Sequence, residues 1–169
     1  MKMDLVQTQE TTFLTAQKDL FKIVQKFINN EKLKKLLFYP VKDALNRKNL
    51  TSEETLGLLH KNIRVIPKLQ VNEDVQSYII IGFDGFTTNA NNPEYRDNII
   101  TFDIICHFDS WVMENYQLRP YLIMGEIDGM LNKSKLNGIG TVEFIGANQL
   151  LLSSDLAGFS LTYRVINDV

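Results

Sequence analysis

The spacing of apolar residues changes near residue 60 of this chain, and that change limits the fold more than any other feature. Before it, apolar side chains recur at three- and four-residue steps; after it they mostly alternate. From Thr12 to Ile28 the apolar positions are Phe13, Ala16, Leu20, Val24, Phe27 and Ile28, with Lys18, Lys22 and Lys26 on the other side. Thr11 or Thr12 is the expected N-cap and Asn29-Asn30 the stop. A second helix is expected over Glu31 to Phe38, with Leu33, Leu36 and Leu37 inward and Lys32, Lys34 and Lys35 outward. It ends near Tyr39, because Pro40 disfavours helical geometry in the residue before it. Thr51-Ser52-Glu53-Glu54 reads as a capping box opening a third helix, whose buried side is Leu56, Leu58 and Leu59.

Beyond His60, Ile63, Val65, Pro67 and Leu69 suggest an irregular extended segment, and Gln76 to Phe83 a continuous apolar strand. The stretch from Phe83 to Arg96 reads as a long Asn-rich loop. In the strand that follows, Ile100, Phe102, Ile104, Cys106 and Phe108 share one face. Thr101, Asp103, His107 and Asp109 lie on the other, together with Ile99 and Ile105, as if the sheet were covered on both sides. Leu118 to Leu131 returns to helical spacing and starts at or just before Arg119, since Pro120 fits only a first turn. Thr141–Ile145 and Gln149–Leu152 are expected to form a hairpin through Gly146-Ala147-Asn148, and Phe159 to Val165 a last strand. The expectation is one α+β domain over 1–169, helical over 1–60, then over 61–169 a mostly antiparallel sheet with one long helix packed on it.

With 169 residues, 44% of them hydrophobic and 22% charged, the chain can bury a core without a disulfide or metal staple. Eighteen basic against 20 acidic residues give −2, which lacks the strong positive footprint of a dedicated nucleic-acid binder. The only cysteine is Cys106, so no intramolecular disulfide forms and a cytosolic origin is expected. The first residues, Met1-Lys2-Met3-Asp4, offer no signal-peptide core, and runs such as Tyr78–Ile81 are too short to span a bilayer.

Asp103, His107 and Asp109 on one strand face are the best candidate for metal-dependent hydrolase or nuclease chemistry, since two carboxylates and an imidazole can share a divalent ion. A solvent-facing side of a half-buried strand has the same composition. Cys106 and His107 point to opposite faces, so they do not form a nucleophile–base pair. His60 at a helix end suits the C-terminal dipole. Gly125 and Gly129 suggest close packing of the long helix on the sheet. No Walker loop, Gly-x-Gly-x-x-Gly, Gly-x-Ser-x-Gly, Cys-x-x-Cys or complete calcium loop is present. No catalytic residue, cofactor or metal is therefore assigned.

A binding surface is better supported. Phe86, Asn89, Asn92, Tyr95 and Arg96 fall in the long loop, which is expected to be the main assembly element, and Trp111, Tyr116 and Arg119 lie around the next connection with Tyr121 nearby. Aromatics and arginine in loops dominate interface hot spots, and long ordered loops in small domains are usually functional.

The order of N-terminal helix, strand Asn98-Ile99-Ile100-Thr101-Phe102-Asp103-Ile104-Ile105-Cys106-His107, helix Leu118–Leu131 and closing stretch Ala157-Gly158-Phe159-Ser160-Leu161-Thr162-Tyr163-Arg164-Val165 resembles the neck proteins of tailed phages, above all tail terminators. The likeness is one of pattern and spans Asn98 to Val169. It implies a virion subunit, made in the host cytoplasm, that forms a homo-oligomeric ring, typically a hexamer, capping the tail tube and joining it to the head. Its partners would be other neck and tail-tube proteins; DNA would pass through the ring without sequence-specific contacts, and no membrane would be involved. Terminator, head-closure protein and adaptor all fit the resemblance. The competing expectations are the metal-dependent hydrolase using Asp103, His107 and Asp109, and a non-viral adaptor module.

Overall fold

A computed structural model describes residues 12–65, 74–88, 96–136 and 140–166. Four α-helices come in the order α1 (Thr12–Asn29), α2 (Glu31–Phe38), α3 (Ser52–Leu58) and α4 (Arg119–Leu131). The strands are β1 (Ile63–Arg64), β2 (Ser77–Thr88), β3 (Arg96–His107), β4 (Lys135–Leu136), β5 (Gly140–Leu151) and β6 (Leu156–Ile166). They form one sheet in the order β1-β2-β3-β6-β5-β4, antiparallel except where β1 runs parallel to β2. The fold is α+β, helices first and then the sheet, as the change of period implies.

Local chemistry sets the helix ends. Asn30 stops α1 by capping α2, its side chain accepting from the Leu33 N–H at 2.9 Å. Thr51 and Glu54 form the full capping box at α3, and the backbone N–H held by Glu54 draws its carboxyl below the usual range. Pro120 occupies the first turn of α4, where its missing N–H is not needed.

The helices cover one face of the sheet. Ile23 and Phe27 from α1, Leu33 and Leu36 from α2, and Ile123, Ile127 and Leu131 from α4 bury against Ile79, Ile81, Ile100, Phe102, Ile104, Leu161 and Tyr163. Phe102 lies at the centre, 5.7 Å from Phe27 and 5.6 Å from Tyr163 between ring centroids. The Tyr163 hydroxyl donates to Asp128 at 2.9 Å, fastening α4 to β6. On the opposite face Tyr78, Ile80, Ile105 and Leu156 form a second, smaller buried cluster, as the isoleucines on both faces of β3 suggest. Gly158 sits between β3 and β5; a Cβ there would fall 1.7 Å from the Ile104 carbonyl oxygen, so no other residue fits without moving a strand.

Several expectations need correction. The expected loop is strand at both ends: β2 continues to Thr88 and β3 begins at Arg96, so Phe86 and Arg96 are ladder residues, while Asn89, Asn92 and Tyr95 lie outside the described residues, as do Pro67 and Leu69. The hairpin at Gly146-Ala147-Asn148 does not form. β5 runs through it unbroken, and a bulge between Phe144 and Gly146 absorbs the irregularity that the glycine signals. Phe108 and Asp109 leave the strand for a 3-10 turn. Leu56 faces solvent, whereas Lys34 is buried and paired with Glu31. Gly125 and Gly129 have open space where a side chain would stand, so they do not mediate close packing.

Candidate functional site

Asp103, His107 and Asp109 do not converge. Asp103 accepts from the Ser160 hydroxyl at 2.6 Å on the neighbouring strand. His107 lies four residues further on, about 13 Å along an extended chain, and its Nδ1 accepts from the Asp109 backbone N–H at 3.1 Å. Asp109 has turned away with the 3-10 turn, its carboxylate 3.7 Å from His107 and largely exposed. No group of three or more His, Cys, Asp or Glu among the described residues could hold a metal ion. Cys106 is wholly buried, and desolvation pushes its thiol up to about 11, which suits a packing residue and not a nucleophile. His60 follows the end of α3 in the left-handed conformation (φ 65°), its N–H bonded to the Ile63 carbonyl at 2.9 Å.

The connection from β3 to α4 is a built surface. It holds two 3-10 turns, Phe108–Ser110 and Glu114–Tyr116, closed by a bridge between Val112 and Leu118 and by Met113 N–H to Gln117 O at 2.8 Å. Its outer side is pinned to the segment after α2: the Glu114 N–H donates to Lys42 O at 3.1 Å, and Asn46 donates to the Glu114 carboxylate at 3.0 Å. Asn115 and Tyr116, neither a glycine, both adopt positive φ, at 57° and 59°. Such backbone costs about 1–3 kcal/mol per residue. Here it displays Tyr116, 99% exposed, with half-exposed Phe108 and Val112 on the same connection and Trp111 5.6 Å from Phe108.

Arg119 is not on this surface. It is 0% exposed, and its guanidinium lies beneath the turn. Nε donates to Ser110 O at 2.7 Å, Nη1 to Leu36 O and to Tyr39 O at 2.9 Å, and Nη2 to Val41 O at 2.7 Å. The carbonyls of Leu36 and Tyr39 belong to the C-terminal end of α2, where the helix dipole favours a cation. Arg119 thus ties α2, the segment after it and the first of the two turns, at Ser110, to the start of α4. Of the expected surface residues, Tyr116 and Trp111 share this connection, and Arg119 supports it from below.

A second exposed element escaped the sequence reading. Along the outer half of β5 Phe144, Ile145 and Leu151 are exposed, Leu151 to 75%, and so is Leu152 just after it. The signal was present as an 11-residue run without a charge, Phe144 to Ser154.

The YomW family model, of a phage-derived family named after an open reading frame of Bacillus phage SPBc2, matches residues 30–165, from the N-cap of α2 to the end of β6. No curated protein matches the chain. No helix among the described residues is long and apolar enough to cross a membrane.

Proposed function

The chain belongs to the YomW family and is a phage-associated protein; from that premise we propose that it is a structural virion protein of the neck, forming a ring that ends the tail tube and joins it to the head. It acts by binding and not by catalysis. The observation that carries this reading is the Tyr116 turn. Two residues held at positive φ, on a turn pinned through Glu114 to Lys42 and Asn46, are an expensive way to display one aromatic side chain. A rigid, exposed tyrosine on a braced turn has the character of an interface anchor. The order of strand, long helix and closing strand, shared in pattern with tail terminators, supports the neck among phage assemblies. The arrangement of Asp103, His107 and Asp109 gives the hydrolase reading no comparable support.

The test is a Tyr116→Gly variant in the phage. Glycine adopts this backbone freely, so the purified variant should melt at or above the wild-type temperature. Particles carrying it should show separated heads and tails, with infectivity reduced at least tenfold. Wild-type infectivity with intact particles would overturn the proposal.

A further inference from the structure

The outer half of β5 is bare in three directions. α4 packs over β3 and reaches β6 through Tyr121 against Phe159 and Asp128 against Tyr163, while Ala147, Gln149 and Leu151 on the helix side of β5 are exposed, and so are Ile145 and Asn148. Its outer edge is paired only at the start: Leu136 and Lys135 meet Gly140 and Thr141, and Val142 bonds with Lys133 and Ser134. Beyond Phe144, whose N–H reaches the Asn132 side chain, no partner strand lies along that edge among the described residues. Natural sheets guard such edges with charges, prolines or short strands; this edge has none of these from Phe144 to Ser154.

We propose that a second copy of this chain pairs here, β5 against β5, antiparallel across a two-fold axis at Asn148. Charge agrees with this occupant: residues close to a two-fold axis meet their own copies, so a like charge there would repel, and the segment around Asn148 carries none. The apolar pattern agrees. Pairing about Asn148 sets Ile145 opposite Leu151 and Ala147 opposite Gln149, so the exposed apolar residues cover one another. The ladder alternation agrees as well. Val142 turns its N–H and C=O outward, and past the bulge the outward set becomes Ala147, Gln149 and Leu151. Ala147 and Gln149 then exchange hydrogen bonds across the axis, leaving Asn148 as a close, non-hydrogen-bonded pair with its own copy. The inference goes beyond the neck reading and stands or falls separately from it.

Asn148→Cys in the full-length chain tests it, because the native Cys106 is buried and leaves position 148 as the accessible thiol. Under mild oxidation this variant should form a disulfide-linked dimer, while the wild type does not. Light scattering across a concentration series should show a monomer–dimer equilibrium that Leu151→Lys weakens at least tenfold at unchanged melting temperature. Two results would each overturn the proposal: a wild-type chain that stays monomeric with no Asn148→Cys dimer, or a dimer that Leu151→Lys leaves intact.

Discussion

Arg119 shows how much one residue can hold. It satisfies four backbone carbonyls from three segments, and no carboxylate partners it among the described residues. Removing it strands those carbonyls in the interior, a cost set by acceptors left desolvated and unpaired and not by the charge itself. Arg119→Met should therefore lower stability by about 3–5 kcal/mol, read as a shift in the denaturation midpoint, and Arg119→Lys should recover little of it because an ammonium cannot reach all four. A loss under 1 kcal/mol would contradict the clamp. In the sequence this residue read as a surface arginine, since nothing local reveals that the end of α2 folds over it. Tyr116, by contrast, was legible as exposed, although its strained backbone was not.

Cys106 makes a prediction of opposite kind. Unfolded, its thiol ionises near pH 8.5; folded, burial holds it to about 11. Between those values unfolding releases a proton, so the stability this group contributes is complete below about pH 8.5 and declines as pH rises toward 11, by at most about 1.4 kcal/mol per pH unit. Tyr163 is pushed up in the same sense by burial and by its bond to Asp128. Cys106→Ala should flatten part of the alkaline fall in melting temperature, and an unchanged slope would contradict the burial argument.

At the scale of elements, the helices were readable because their ends carry their own chemistry. α2 spans Glu31–Phe38 as its apolar spacing and Pro40 require, and α4 starts at Arg119 as Pro120 requires. The strands were less readable where a turn residue serves another purpose. Gly146 supplies a bulge instead of a turn, and Gly158 supplies the space for β6 to lie close to β3. That contact is backbone against backbone, so it cannot yield as a side chain would. Gly158→Ala should cost several kcal/mol or prevent folding, whereas Gly125→Ala, facing open space on α4, should be neutral or raise stability by up to about 1 kcal/mol. Equal effects at the two positions, compared by thermal denaturation, would contradict the sheet geometry.

At the scale of the molecule, the α+β class followed from the change of period near residue 60, and the association with phages follows from the family. The site was legible only in part. Exposed aromatics can be suspected from a sequence, but the bare outer half of β5 emerges only once the helix layer is seen to stop short of it. Two surfaces result, the Tyr116 turn and the charge-free β5 edge.

The central claim is that this chain works as a component of the neck. Electron cryomicroscopy of purified virions, with mass spectrometry of the same particles, measures this most directly. The account predicts a small fixed number of copies per particle, resolved as a ring where the tail tube meets the head. Normal particles that contain none of the chain would contradict it.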